Sequence, residues 1–230
     1  MKISKEFSKN ALSYNSLNIV QNLVVEKLLS LVNAKPKHIL DLGCGSGAIC
    51  KSIDWDYEHF IGVDFAAGML ELHPKSSKIE SIYGNFNDKT LFDNLIAYNY
   101  DYIFSASALQ WTDNLNNVLY NIKNLNAPIA LAIFTSNTFK TLNETASLNS
   151  LLKSSDEIKE LAEMYFDINF EVVDYKLEFQ SVRDIFKYIK RSGVSGSRKL
   201  LSFRETKKLM NNYPLNYLEF EVAFITSVVK

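Results

Sequence analysis

Three glycines and an acid fall within seven residues, Asp41-Leu42-Gly43-Cys44-Gly45-Ser46-Gly47. Glycines at that density turn a backbone tightly and let it approach a ligand, provided a strand leads in and a helix leads out. Gly43 to Ala48 also satisfies the GxGxxG/A dinucleotide pattern, so nicotinamide and flavin chemistry has to be weighed. The acid favours a different ligand. A carboxylate two residues ahead of the first glycine would repel a bound pyrophosphate but suits the amino group of a methionine tail, directly or through water, which points to S-adenosylmethionine (AdoMet). Gly43, Cys44 and Gly45 join Asp41 as candidate cofactor contacts; the plainer alternative is a tight turn that binds nothing.

A second acid, Asp64, closes the run Gly62-Val63-Asp64-Phe65, 23 residues beyond Asp41. A carboxylate at a strand tip there can accept both ribose hydroxyls, in AdoMet and NAD sites alike; the alternative is an N-cap for the next helix. Phe65 and Met69 follow as cofactor candidates. Tyr83-Gly84-Asn85-Phe86 puts an amide where many methyltransferases carry an acid toward the adenine amino group. Asn85 can accept that bond and Phe86 can lie against the ring, with core packing as the rival role for Phe86. Ser105-Ala106-Ser107-Ala108 is small enough to leave room for methionine and substrate, Ser105 being a cofactor candidate. Leu109, Gln110 and Trp111 would wall the pocket, Trp111 as a substrate contact or as core.

These residues need a parallel sheet to bring them together. Strand-like runs at His38–Leu42, His59–Phe65, Ile79–Asn85, Tyr100–Ala106 and Pro128–Thr135 alternate with helical stretches at about 48–53, 67–72, 89–96 and 115–125. Ile129 to Phe134 is apolar throughout, as a strand buried on both faces should be. Apolar residues at helical spacing predict an N-terminal helix over 13–32, stopped before Pro36, and another helix is predicted near 156–165. Phe170–Phe179 and Leu218–Val229 alternate like strands and can close the sheet edge as an antiparallel pair, with helices over 183–212 between them as a cap. The expectation is an α/β, Rossmann-like class I methyltransferase fold: a seven-stranded, mostly parallel sheet with an antiparallel last strand, an N-terminal helix and a small helical cap. We divide it into a helical lid (1–35), a core (36–180), a cap insertion (181–214) holding the loop Gly193 to Ser197, and the last strand (215–230).

At 230 residues and 47% hydrophobic content the chain suits one soluble domain. Its net charge of −1 gives no field for a polyanion, so nucleic acid is not the expected substrate. No apolar run is long enough for a membrane span and the start has no secretory pattern, so the expected compartment is the cytoplasm. Cys44 and Cys50 have no partners for a zinc site or disulfide framework. Neither metal nor membrane is expected.

Four local features resemble the malonyl-acyl-carrier-protein O-methyltransferases of biotin synthesis. They are Phe7-Ser8-Lys9-Asn10-Ala11-Leu12-Ser13-Tyr14 followed by Val20-Gln21, the loop Ile39 to Gly47, the turn Ser107-Ala108-Leu109-Gln110-Trp111, and Asp184 to Val194. Two departures are Asn85 and the loose match of Thr135 to Glu144. The resemblance implies methyl transfer from AdoMet to the free carboxylate of a malonyl thioester on acyl carrier protein, or on coenzyme A. Such a carboxylate is already ionised at neutral pH and needs no general base, so we nominate no catalytic proton-transfer residue. Tyr14 and Gln21, seven apart, share a helix face; the resemblance implies that this helix closes over AdoMet with Tyr14 near the methyl, the alternative being a packed helix with Tyr14 at its rim.

A buried substrate carboxylate calls for a cation, preferably an arginine fork. The arginines are Arg183, Arg191, Arg198 and Arg204. Arg191 and Arg198, flanking the Gly-Ser loop, are the first candidates and Lys140 the next, each against the plainer role of a solvated charge. Lys187, Lys190, Lys199, Lys207 and Lys208 could face an acidic carrier protein. The alternatives kept open are a methyltransferase acting on a small carboxylic acid or on carbon, and a non-catalytic AdoMet-binding accessory subunit.

Overall fold

A computed structural model describes residues 18–192 and 202–227, with 191, 192 and 203 placed by backbone alone. In chain order the elements are α1 (Ile19–Ser30), β1 (His38–Leu42), α2 (Ala48–Ser52), β2 (His59–Asp64), α3 (Ala67–Leu70), β3 (Ile79–Tyr83), α4 (Lys89–Leu95) and β4 (Tyr102–Ala106). A 3-10 turn at Leu109–Trp111 follows, then α5 (Leu115–Asn124), β5 (Ile129–Phe134), α6 (Lys140–Thr145), α7 (Ser155–Glu163), β6 (Ile168–Glu178), α8 (Val182–Ser192), α9 (Phe203–Asn212) and β7 (Tyr217–Ser227).

Among the described residues the strands form one sheet in the order β3-β2-β1-β4-β5-β7-β6. Strands β1 to β5 are parallel, and β7 runs antiparallel to both of its neighbours. The strand order reverses between β1 and β4, and a crevice opens at such a point outside the carboxyl ends of the strands. Register sets Asp41 level with Gly62 on one side and Phe104 on the other.

Every residue of β5 is buried because both faces are covered. One face packs on α4, α5 and α7 through Leu91, Leu95, Leu119, Ile122 and Ile158. The other packs on α1, α2, α8 and α9 through Val24, Leu28, Ile49, Ile185 and Leu209. Local signals fix several helix starts. Ser154 with Glu157, and Ser202 with Glu205, form reciprocal capping boxes at α7 and α9, while Asp88 Oδ1 accepts from Thr90 N at 3.0 Å ahead of α4.

The pair β6–β7 matches the expected antiparallel edge, in the register Glu178↔Tyr217. Helices α8 and α9 therefore leave and rejoin the sheet at its carboxyl end, where Tyr188 and Tyr213 pack in the same cluster as Phe139 and Phe220. Helix α2 falls within a residue of its expected span, and one expectation is corrected: β3 ends at Tyr83, short of Asn85. Helix α6 has no counterpart in the sequence reading, whereas the 3-10 turn falls within the expected turn Ser107 to Trp111. Among the described residues no helix is long and apolar enough to cross a membrane.

Candidate active site

The loop after β1 makes its turn with left-handed backbone at Gly43 (φ 79°) and Gly45 (φ 54°), a region that side chains other than glycine's resist. A Cβ at Gly43 would overlap that of Ala108, whereas one at Gly45 would meet open space. The loop is tied to β2: Gly43 N and Cys44 N both donate to Val63 O, at 2.8 and 3.0 Å. Asp64 holds it from the strand tip, Oδ2 accepting from Gly45 N at 2.9 Å and Oδ1 from Ala66 N at 2.8 Å. Asp64 is thus a brace of the loop and not the cap of α3, whose N-cap residue is Ala66. A carboxylate offers about four acceptor positions, so the backbone bonds from Gly45, Ala66 and Phe65 leave acceptor capacity for a ligand hydroxyl.

Asp41 is in a different condition. It is 1% exposed, and neither carboxylate oxygen has a hydrogen-bond partner. Burial, and secondarily the Asp64 carboxylate, push it well above the usual carboxylate range. Burial also raises Asp64, against the backbone N–H bonds of Ala66 and Gly45, which lower it. An orphaned buried carboxylate is costly unless a cation reaches it. Asp41 lines a cleft of about 740 Å³ at the β1/β4 crevice, and an ammonium group placed there would answer it.

Gly43, Cys44, Gly45 and Asp64 line the same cleft, as do Phe65, Met69 and Phe86. Phe65 and Phe86 meet edge to face, their centroids 6.3 Å apart, which gives the cleft an aromatic lip suited to a flat base. Phe86 is also in the core, so its two readings hold together. Gln21 on α1 is 7% exposed with Oε1 unpartnered, and it lines the cleft beside Asn18. Ala106, Ser107, Ala108 and Trp111 form the β4 side. An ammonium partner, an acceptor at the next strand tip and an aromatic lip fit AdoMet, part by part.

Other predicted residues fall elsewhere. Ser105 is fully buried and its Oγ donates to Leu42 O at 2.6 Å, so it ties β4 to β1 and does not line the cleft. Asn85 lies past the end of β3, exposed, with Oδ1 accepting from Asn87 N at 3.0 Å. Lys140 begins α6, exposed and off the cofactor cleft. Tyr14 and Arg198 lie outside the described residues, as does the side chain of Arg191 in the last turn of α8. Arg183 and Arg204 are exposed.

The sequence reading did not single out Asn18 or the Ser107 hydroxyl. Ser107 adopts φ 60°, its N donates to Ala132 O at 2.9 Å, its carbonyl accepts from Gln110 Nε2 at 2.6 Å, and its buried Oγ is unpartnered. The signal available was a pair of small polar residues around the end of a strand, which does not say which one faces the ligand.

A glycine loop and a strand-tip acid at the reversal point of this sheet, with β7 antiparallel, define the class I methyltransferase fold. The methyltransferase-domain family matches residues 40–131, and the chain is an AdoMet-dependent methyltransferase. Its nearer likeness in sequence is to malonyl-[acyl-carrier protein] O-methyltransferases. That of Ilyobacter polytropus is 28% identical, over 85% of this chain and 78% of the relative. That of Brevibacillus brevis is 25% identical over 98% and 95%. In structure the fold is shared with the YcgJ protein of Bacillus subtilis, with a TM-score of 0.62 at 12% identity over 90% of this chain and 99% of that one. It is also shared with Haemonchus contortus phosphoethanolamine N-methyltransferase 2 in complex with S-adenosyl-L-methionine, with a TM-score of 0.58 at 15% identity over 97% and 57%.

Proposed function

We propose that the protein transfers the methyl group of AdoMet to the free carboxylate of a malonyl thioester on acyl carrier protein, the methyl-ester step that opens biotin synthesis. The observation that carries this reading is the reach of the similarity. The match to the general methyltransferase family stops at residue 131, whereas the likeness to the malonyl-[acyl-carrier protein] O-methyltransferase of Brevibacillus brevis spans 98% of the chain, the β6–β7 insertion included.

The bound cofactor supplies a methyl group on a cationic sulfur. Asp41 takes its ammonium group, and Asp64 uses its remaining lone pairs for the ribose hydroxyls. Phe65, Met69 and Phe86 receive the adenine, Gln21 lines the same cleft, and Tyr14 contacts the cofactor. One oxygen of the malonyl carboxylate bonds to the methyl carbon as the carbon–sulfur bond breaks toward sulfur, giving the methyl ester and S-adenosylhomocysteine. No proton moves, so the chain's contribution is alignment in a site closed to water. Arg191 and Arg198 hold the carboxylate, with Lys140 next in line, and Trp111 walls the substrate side. The lysines on α8 and α9 face the carrier.

The test is methyl transfer from labelled AdoMet to malonyl carrier protein, malonyl-CoA and free malonate. Ester formation on the carrier thioester, well above that on free malonate, is the expected result. Equal or greater turnover of free malonate would move the assignment to a small-molecule carboxylate methyltransferase.

A further inference from the structure

A second cleft, of about 530 Å³, adjoins the cofactor cleft across the Leu109–Trp111 turn. Ala108 and Trp111 wall the cofactor side, whereas Leu109 and Gln110 wall the other. Ile133 and Phe134, the last residues of β5, also line it, so it lies at the carboxyl end of the sheet, beside the cofactor cleft.

Its chemistry is specific. Gln110 Nε2 donates to Ser107 O at 2.6 Å, which fixes the amide's orientation and leaves Oε1 as a buried acceptor with no partner. An acceptor in that state favours a ligand N–H and disfavours a carboxylate or phosphate oxygen. The charged residues lining the cleft, Lys153 and Asp113, are one of each sign, and Lys153 Nζ already lies 3.7 Å from Glu157 Oε1. No net charge is left to hold an ion. The remaining walls include Leu115 and Ile158, and Leu151 at the rim is 72% exposed. The ligand these features suit is a neutral, partly apolar chain carrying an amide N–H.

We propose that this cleft seats the pantetheine arm of a thioester substrate, with an arm amide donating to Gln110 Oε1 and its methyl groups against Leu151 and Leu115. The inference rests on the thioester reading of the substrate. It adds a link between the two sites, because the amide that receives the arm also holds the carbonyl of Ser107, a residue that lines the cofactor cleft.

Titration with S-methylpantetheine, followed by ligand-observed NMR in the presence of S-adenosylhomocysteine, tests this apart from turnover. We expect saturable binding to the full chain, weakened at least fivefold by Leu151→Asp and tenfold by Gln110→Met. Leu151 is exposed and off the cofactor cleft, so Leu151→Asp should fold and bind AdoMet as the parent does. Absence of binding to the parent overturns the proposal, and so does parent-like binding by Leu151→Asp whatever Gln110→Met does. If malonyl carrier protein is methylated while the capped arm does not bind, the cleft assignment fails and the substrate reading stands. If the arm binds as expected while malonyl thioesters are not methylated, the substrate reading fails and the cleft remains a seat for an amide-bearing chain.

Discussion

Asp64 stands between two backbone donors, Gly45 N and Ala66 N, and also lines the cofactor cleft, so its removal should disturb fold and ligand together. Asp64→Asn is the informative change. An amide can accept from only one of the two N–H groups and turns its own N–H₂ toward the other. Leaving one buried donor unpaired costs about 1–3 kcal/mol. We expect a fall of several degrees in melting temperature and a loss of about tenfold or more in AdoMet affinity, read by thermal melts and calorimetry on one preparation. A melting temperature equal to the parent's would show that the brace carries no stability. Unchanged affinity would remove Asp64 from the cofactor site.

At the scale of elements, the glycine loop and the Ser107–Trp111 turn are built against each other through Gly43 and Ala108. Gly43→Ala combines left-handed backbone strain with overlap on Ala108, together at least about 2 kcal/mol, so AdoMet affinity should fall by at least thirtyfold. Gly45→Ala meets only the backbone strain of about 1 kcal/mol and should lose roughly fivefold. Adding Ala108→Gly to Gly43→Ala should recover part of the loss; if it recovers nothing, the contact is not what selects glycine. In the cap, Arg191→Ala or Arg198→Ala should lower turnover of malonyl carrier protein about tenfold while leaving AdoMet affinity intact, the scale of one charged hydrogen bond. Arg183→Ala and Arg204→Ala, at exposed positions, should change little. If Arg191 and Arg198 are both dispensable, Lys140 is the next to replace. The strands were legible because β-branched runs end at glycine or acid, and Asp41 and Asp64 stood out because a strand tip aims them at the crevice. Ser105 misled because its small size suggested open space, whereas pairing with β1 turns its hydroxyl to Leu42 O. Asn85 misled because β3 stops two residues earlier. Ser107 was legible only as one of a run of small residues, since its left-handed backbone and its bonds to Ala132 O and from Gln110 Nε2 leave no mark in the spacing.

For the whole molecule, the unpartnered Asp41 makes folding, pH and cofactor binding one problem. Its folded pKa lies well above the roughly 3.9 of an unfolded chain, through burial first and the Asp64 charge second. Between those two values the native state keeps a proton that the unfolded state has released, so this residue's contribution to stability falls as pH rises. Below about pH 4 both states hold the proton and the penalty disappears. His73 works in the opposite direction: burial, then Lys51, lower its pKa, so its contribution falls as pH drops through about 6.5. The Asp41 effect must therefore be read as a difference between parent and Asp41→Asn, which share His73. Without cofactor, we expect the melting temperature of Asp41→Asn to rise relative to the parent as pH goes from 5 to 8. The amide is neutral throughout, while the parent is driven toward an unpaired buried charge. AdoMet should reverse the order, stabilising the parent increasingly over the same range because its ammonium group pairs with the ionised carboxylate, and stabilising Asp41→Asn little at any pH. Melts at four pH values with and without AdoMet decide it. A parent-to-variant difference that stays flat with pH, or equal stabilisation of both proteins by AdoMet, would show that Asp41 is neither strained when ionised nor the partner of the cofactor's amino group.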